Sequence, residues 1–231
     1  MIELVPLPDE GRRYCVNRRV GLGDVDPSGR VRLDALAAYL QDVATDDADD
    51  AQLDDVFGWV VRRVHLEIRR WPRLNEHVRL TTFCAGFGSR WAERRTSITG
   101  SRGAAVEAAA VWVAVNEEGR PAPLTKRFHD VYDEAAGGRT VSSRLVLQDA
   151  PAGAAVRPWP LRRVDLDVFG HVNNAAHWRP IEELLAGRWP VAATIEFGPA
   201  LTDDAELRWV EAEGVLRAWL GESSSMQVRL A

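Results

Sequence analysis

The sequence predicts an α+β protein in which a sheet wraps around a long helix. Three observations carry this prediction. Apolar residues recur at helical spacing after Leu33, four segments rich in β-forming residues follow, and the order strand, turn, helix, strands then returns in the second part of the chain. With 231 residues, the chain is long enough to form two such units with real cores.

The first half opens with a predicted strand within residues 12–23, which runs into the turn-rich sequence DVDPSG. The apolar positions Leu33, Leu36, Ala37, Leu40, Val43 and Ala44 then predict an amphipathic helix of about four turns. Six aspartates follow between Asp46 and Asp55. Because such dense like charges repel one another, we expect a solvated loop there, and the run lacks the glycine and terminal glutamate of a calcium-binding loop.

Four predicted strands at 59–68, 77–86, 91–99 and 106–116 complete the first half. Between about 134 and 158 the composition shifts to Gly, Ala, Ser and Pro. We therefore predict a first domain at 1–140, a linker at 141–154 and a second domain at 155–231. Within the second domain we expect an extended segment at 157–166, a turn, a helix to about 189, and strands at 192–197, 205–212, 214–221 and 226–230.

Composition excludes several classes of function. A formal net charge of -5 and a pI near 5.6 argue against a general nucleic-acid binder, which needs a basic surface. The two cysteines, Cys15 and Cys84, lie far apart and are expected to be free thiols in a reducing compartment. The sequence shows no signal peptide and no run long enough to span a bilayer, so we expect a soluble cytoplasmic protein. No glycine-rich phosphate loop or metal-ligand cluster occurs, so we expect no cofactor and no metal.

The chain contains an internal repeat. At an offset of 141, residues 24–31 (DVDPSGRV) align with 165–172 (DLDVFGHV), and both copies share D-x-D-x-x-G-x-V. Farther along, Glu67 aligns with Glu196 at an offset of 129, and we expect these two to be paired structural carboxylates. Two copies of one helix-on-sheet unit imply that the units pack together, since neither would bury its apolar surface alone.

The differences within the repeat point to a site. The second copy has His171, Asn173 and Asn174 where the first has Arg30, Arg32 and Leu33. Imidazole changes charge near neutral pH and guanidinium does not. We therefore expect one active turn and one structural turn, with Arg30 or Arg32 at the rim of the pocket.

Asp167 is the candidate catalytic carboxylate of the active turn. It could act as general base or as nucleophile at a carbonyl, with His171 as its partner. We expect backbone N–H groups around Gly170 to Val172, together with a helix N-terminus, to stabilise an oxyanion. Asn173 and Asn174 either cap the following helix or position the substrate carbonyl.

The string D-x-x-G-H-V-N-N at Asp167 to Asn174, with a strand before it, a helix after it and a degenerate first copy, resembles the acyl-acyl carrier protein (ACP) thioesterases of plant and bacterial type. The likeness covers about 12–230. It implies a tandem hotdog fold, in which each half is an antiparallel sheet around a helix, and a thioester hydrolase of fatty acid biosynthesis that releases free fatty acid from acyl-ACP. By the same resemblance Asp167 and His171 match catalytic positions, and Asn173 matches the motif's amide.

This chain departs from the plant members of that family at two places. They carry an asparagine where this chain has Phe169, and a Glu-Cys pair that falls here at Ala200 and Leu201. Asp167 is therefore expected to carry more of the chemistry. Gly170, Val172 and Asn174 are the expected substrate-binding residues, and acyl carrier protein is the expected partner, with no nucleic acid or membrane. The protein would be a monomer or a homodimer. The alternatives are an acyl-CoA thioesterase of the same fold and a non-catalytic acyl-binding module.

Other residues allow two interpretations each. Eight arginines form either a docking surface for an acidic carrier or solvated strand faces: Arg62, Arg63, Arg69, Arg70, Arg73, Arg90, Arg94 and Arg95. His177 is expected to be a packed or surface histidine, and the tryptophans are expected to fill the core rather than line an acyl channel. Pro180 would break a helix that begins near Ala175, so the helix either begins later or bends there.

Overall fold

The computed structural model describes residues 2–145, 157–202, 207–209, 216–220 and 224–230. The first half consists of β1 (Tyr14–Arg19), α1 (Leu33–Asp50), β2 (Gly58–Arg70), β3 (His77–Phe87), β4 (Trp91–Gly100), β5 (Ala105–Val115) and α2 (Lys126–Ala136). The second half consists of β6 (Arg157–Trp159), α3 (Arg179–Leu185), β7 (Pro190–Phe197), β8 (Leu207–Trp209), β9 (Leu216–Leu220) and β10 (Ser224–Leu230). The α+β class and the four first-half strands are confirmed.

Eight strands form one antiparallel sheet in the order β1-β3-β4-β5-β2-β7-β10-β9, and β6 pairs with β8. The halves join through β2 and β7, and the order β2-β5-β4 on one side of this join matches β7-β10-β9 on the other. Parts of the predicted strands at 205–212 and 214–221, and most of the predicted linker, lie outside the described residues. The domain boundaries therefore stay a prediction.

A pseudo-twofold axis relates the two halves. His65 pairs with Thr194 across the β2–β7 join, and the same two residues correspond to each other at the repeat offset of 129. Nδ1 of His65 lies 2.7 Å from Oγ1 of Thr194. Glu196 faces Arg63 and Glu67 faces Ala192, so the two carboxylates occupy equivalent places about the axis and are not paired with each other.

The helices of both halves share one hydrophobic core. Leu36 and Leu40 of α1 and Ile181 of α3 are buried together with Leu66 of β2 and Ile195 of β7. Each such side chain contributes roughly 1.5–3 kcal/mol through removal from water. The two units therefore depend on each other for much of their stability.

The expected solvated loop after Ala44 is wrong for its first part, because α1 continues to Asp50. Asp47 faces inward with 1% exposure and accepts hydrogen bonds from Nε of Arg12 at 2.7 Å and from the hydroxyl of Tyr132 at 2.6 Å. Arg94 donates to Oδ2, the oxygen that also accepts the Tyr132 hydroxyl. These partners neutralise the one aspartate of this helix end that lies in the core, while Asp46, Asp49 and Asp50 stay in water.

Helix α2 was not predicted, although its ends carry the usual sequence signals. The side chain of Thr125 accepts the N–H of Phe128 at 3.1 Å, and Gly137 ends the helix with a φ of 57°. Phe128 and Tyr132 of α2 pack over Cys84 in a second, smaller core.

The second-half helix is shorter than expected. A 3-10 turn at Ala176–Trp178 comes first, and α3 runs only from Arg179 to Leu185. Pro180 lies in the first turn of α3, where its missing N–H breaks no hydrogen bond. Within the described residues, no helix is long and apolar enough to cross a bilayer.

Candidate active site

The turn at Asp167 to His171 is held by the carboxylate of Asp167. Its Oδ1 accepts the N–H groups of Phe169 at 2.9 Å and of His171 at 3.1 Å. The N–H of Asp167 donates back to the carbonyl of His171 at 2.7 Å. Gly170 has a φ of 75°, a conformation that side-chain-bearing residues rarely adopt.

The first copy of the motif forms the same turn. Oδ1 of Asp26 accepts the N–H groups of Ser28 at 2.9 Å and of Arg30 at 3.1 Å, and the N–H of Asp26 donates to the carbonyl of Arg30 at 2.8 Å. Gly29 has a φ of 78°. The repeat is therefore confirmed at the level of single hydrogen bonds.

The first turn is closed by a buried charge network. Arg30 is 1% exposed, and its Nε donates to Oδ2 of Asp26 at 2.9 Å. Its Nη2 lies 2.5 Å from Oε2 of Glu182, which comes from α3 of the other half. Burial alone would raise the pKa of Asp26, but hydrogen bonds from Ser28 and Arg30 outweigh it and lower that pKa.

Arg30 and Arg32 do not lie free at a pocket rim, contrary to expectation. Arg32 donates from Nε to Asp34 at 2.8 Å and from Nη1 to the carbonyl of Val25 at 2.9 Å. Both guanidiniums are therefore occupied in holding the first turn.

The second turn lacks this closure. Within the described part of the chain, Oδ2 of Asp167 and the imidazole of His171 make no hydrogen bond or ion pair. Both residues are half-buried. The carboxylate thus has one oxygen committed to the turn and one oxygen available for chemistry.

Asp165, two residues before Asp167, has a structural role. It is 2% exposed, and its carboxylate accepts the guanidinium of Arg162 at 3.0 Å and also that of Arg179. Burial would raise the pKa of Asp165, but hydrogen bonds from Arg162 and Arg179 lower it. Arg179 also reaches Asp34 of α1 at 3.5 Å, so this cluster links the halves.

The two asparagines have different surroundings. Oδ1 of Asn173 accepts the N–H of Ala175 at 2.8 Å, a bond of the capping type, but the 3-10 turn begins after Ala175 and has no side-chain cap. Asn174 is half-buried, and neither its amide side chain nor its backbone N–H has a partner among the described residues. Asn174 is therefore free to bind a ligand.

The N–H groups expected to bind an oxyanion are already engaged. Those of Gly170 and His171 donate to Asp167, and that of Val172 donates to the carbonyl of Leu201 at 2.8 Å. In addition, α3 begins only at Arg179, so no α-helix starts directly at the turn. Among the described residues, the N–H of Asn174 is half-buried and unoccupied, whereas the unoccupied N–H of Val168 lies at the exposed tip of the turn.

His177 is packed in the core, as expected. Burial lowers its pKa to about 4, and its Nδ1 lies 3.1 Å from the carbonyl oxygen of Asn173. Its ring packs edge-on against Phe197. Trp178 beside it is fully buried and also belongs to the core.

A cavity of about 360 Å³ lies beside the segment that enters the turn. It is lined by Leu161, Arg162, Arg163 and Leu166. Its size falls in the range of about 300–1,000 Å³ typical of small-molecule sites.

The eight arginines do not form one docking surface. Arg63, Arg94 and Arg95 are largely buried, and each binds groups inside the protein, as when Arg95 donates to Glu107 at 2.8 Å. Among the eight, Arg69, Arg70 and Arg90 are exposed. Alternation along the strands points neighbouring arginines to opposite faces of the sheet.

Sequence reasoning missed Glu182, Arg179 and Leu201. Glu182 matches Gln41 at the repeat offset of 141, but that position carries different residue types in the two halves. Glu182 binds Arg30 and the N–H of Leu33 only because α3 packs beside the first turn in the folded protein.

Comparison with known proteins places these features in a family. Residues 11–136 match the acyl-ACP thioesterase N-terminal domain, and residues 149–195 match the C-terminal domain. An uncharacterized protein of Mycobacterium tuberculosis is 32% identical over 190 residues, which cover 80% of this chain and 74% of that protein. Oleoyl-acyl carrier protein thioesterase 1 of Arabidopsis thaliana is 26% identical over 206 residues, covering 76% of this chain and 56% of that protein.

The fold has a solved counterpart in the 12:0-ACP thioesterase from Umbellularia californica. The TM-score is 0.78 at 18% identity, and the match covers 96% of this chain and 98% of the other. This likeness confirms the tandem hotdog fold. With its two halves matching the two domains of one family, the chain belongs to the acyl-ACP thioesterases, a family of thioester hydrolases.

Proposed function

We propose that this thioesterase hydrolyses a fatty acyl thioester carried by acyl carrier protein, releasing free fatty acid and carrier thiol. The observation that carries the proposal is the contrast between the two turns. The same carboxylate is closed off by Arg30 in the first copy, whereas Oδ2 of Asp167 is unoccupied next to His171 in the second.

Asp167 is the proposed general base. Its Oδ2 takes a proton from water, and the water oxygen attacks the thioester carbon to form a tetrahedral intermediate. The C–S bond then breaks, the acid is released, and the leaving sulfur takes a proton. His171 is the proposed partner that passes this proton, and the turn holds both groups within five residues.

The proposed oxyanion donor is the backbone N–H of Asn174. Its counterpart in the first half, the N–H of Leu33, binds the carboxylate of Glu182 at 2.5 Å. An anionic oxygen is thus held at the equivalent place in the first half. By the repeat relationship, the thioester carbonyl would accept the N–H of Asn174, with the Asn174 side chain beside it.

The cavity beside Arg163 is the proposed entry for the substrate. Leu161 and Leu166 offer apolar walls for an acyl chain or a carrier arm. Gly170 and Val172 contribute by shaping the turn, and Asn173 by fixing the start of the helical segment. Acyl carrier protein as partner and a cytoplasmic location belong to this proposal.

Thiol release from acyl-ACP of graded chain length by the purified protein tests the proposal, with matched acyl-CoA substrates in parallel. We expect turnover on acyl-ACP with a higher kcat/KM than on acyl-CoA. Equal or better use of acyl-CoA would establish the acyl-CoA thioesterase instead.

A non-catalytic acyl-binding module is the second candidate. Phe169, 76% exposed at the tip of the turn, favours it because the plant motif carries an amide there. Tight acyl binding without thiol release by the wild-type protein would establish the module.

A further inference from the structure

The repeat places a residue of the first half against the proposed active turn of the second. In the first half, the guanidinium of Arg30 and the N–H of Leu33 both bind Glu182 of the opposite helix α3. At the offset of 141, Arg30 corresponds to His171, Leu33 to Asn174, and Glu182 to Gln41 of α1. The pseudo-twofold axis therefore relates the positions of Arg30 and Glu182 to those of His171 and Gln41.

The burial pattern supports this correspondence along the helices. Four pairs at the offset of 141 are buried on both sides of the axis: Leu36 with His177, Ala37 with Trp178, Leu40 with Ile181 and Val43 with Leu184. Gln41 and Glu182, which match at the same offset, are each half-buried. The 3-10 turn has therefore not shifted the register of the second-half helix relative to α1.

Packing between the helices brings α1 against the helical segment that follows the second turn. α1 contacts both the 3-10 turn at Ala176–Trp178 and α3. Gln41 makes no hydrogen bond or ion pair within the described part of the chain, and the same holds for the imidazole of His171. Two half-buried polar groups are thus unpartnered where the symmetry-related pair forms a salt bridge.

We infer that Gln41 is a positioning residue of the active site, which its amide completes from the opposite half. In the working site the amide oxygen would accept an N–H of the His171 imidazole, a bond that the two side chains do not make in this structure, and would so fix the tautomer and orientation of the ring. The neutral amide of Gln41 would leave the carboxylate of Asp167 able to react. In the first turn, by contrast, Arg30 binds both Asp26 and the charged Glu182, so neither carboxylate is available. This inference rests on the proposed function for its catalytic meaning, but the contact itself does not.

The contact is tested without reference to activity by a double-mutant cycle. Gln41→Glu and His171→Arg together recreate the residue types of the first-half salt bridge. We expect the double variant to unfold about 2–4 °C above the sum of the two single shifts, because residues in contact do not add. Additive shifts would overturn the inference, whether or not the protein proves to be a thioesterase.

The positioning role is tested by Gln41→Leu in the thiol-release assay. We expect kcat to fall about tenfold, with KM within about twofold and an unchanged unfolding temperature. Gln41→Asn, one methylene shorter, should recover part of the rate. An unchanged kcat, or an equal loss in the matched surface variant Asp42→Leu, would overturn the role. Absence of thiol release from the wild type would instead defeat the proposed function and leave the thermal cycle to decide the contact.

Discussion

Arg30 and Glu182 form a buried ion pair that ties the structural turn of one half to the helix of the other. The side chains are 1% and 10% exposed, and the guanidinium also stacks over Trp71 at 4.4 Å. Ion pairs of this kind leave an uncompensated charge when one partner is removed. The first turn, whose site is degenerate, therefore serves as a clamp: its Arg30 holds the two halves together through Glu182.

Removing the clamp should destabilise the fold. We expect Arg30→Ala to lower the free energy of unfolding by about 3–5 kcal/mol, because Glu182 and Asp26 then lose their buried partner. Urea denaturation measures this. Lys126→Ala, which removes an exposed pair with Asp130 at 2.6 Å, is the control and should cost no more than about 1 kcal/mol. Equal losses in the two variants would contradict the clamp.

Asp47 should be the aspartate of the acidic run that matters for stability. Its burial raises its pKa, but the charge of Arg94 and hydrogen bonds from Tyr132 and Arg94 outweigh this and lower it. We expect Asp47→Ala to cost about 3–5 kcal/mol in the free energy of unfolding, because Arg94 is left unpaired inside the protein.

The exposed neighbour Asp46 on the same helix provides the control. Asp46→Ala should change the free energy of unfolding by less than about 0.5 kcal/mol. Comparable losses in both variants would mean that charge at the helix end, and not the buried network, decides stability.

His177 should make stability depend on pH. Burial lowers its pKa to about 4, whereas an unfolded histidine titrates near 6.5. Between these values the unfolded chain binds a proton that the folded chain does not, so this contribution is complete above pH 6.5 and is lost as pH falls toward 4. The loss amounts to at most about 3 kcal/mol.

Urea denaturation at pH 7, 5.5 and 4.5 measures this dependence, with His177→Gln as the comparison. The variant should lose less stability than the wild type between pH 7 and 4.5, since it carries no imidazole. Parallel pH curves for the two proteins would refute the assignment.

Whether a feature of the fold or of the site could be predicted from sequence depends on how far apart in the chain its interacting residues lie. The turn at Asp167 is local: its carboxylate binds N–H groups two and four residues ahead, so D-x-D-x-x-G-x-V was enough to find both copies. Strands β2 and β7 were found for a similar reason, since their enrichment in β-forming residues is visible within a few residues of sequence.

Features that depend on distant partners escaped prediction. The acidic end of α1 is helical because Arg12, Arg94 and Tyr132 neutralise Asp47 from 35 to 85 residues away. Arg30 was placed at a pocket rim because nothing near it in sequence reveals Glu182, 152 residues later. Helix α2 could have been found from Thr125 and Gly137, which carry its end signals.

The two turns share their backbone hydrogen bonds but differ in chemistry, and matched substitutions of their aspartates distinguish them. Thiol release from acyl-ACP is measured for Asp167→Asn and for Asp26→Asn, with the folded fraction of each determined by denaturation. We predict that Asp167→Asn loses at least about a hundredfold in kcat, while Asp26→Asn keeps the wild-type kcat per folded molecule. Equal rates for Asp167→Asn and the wild type would show that Asp167 is not the general base.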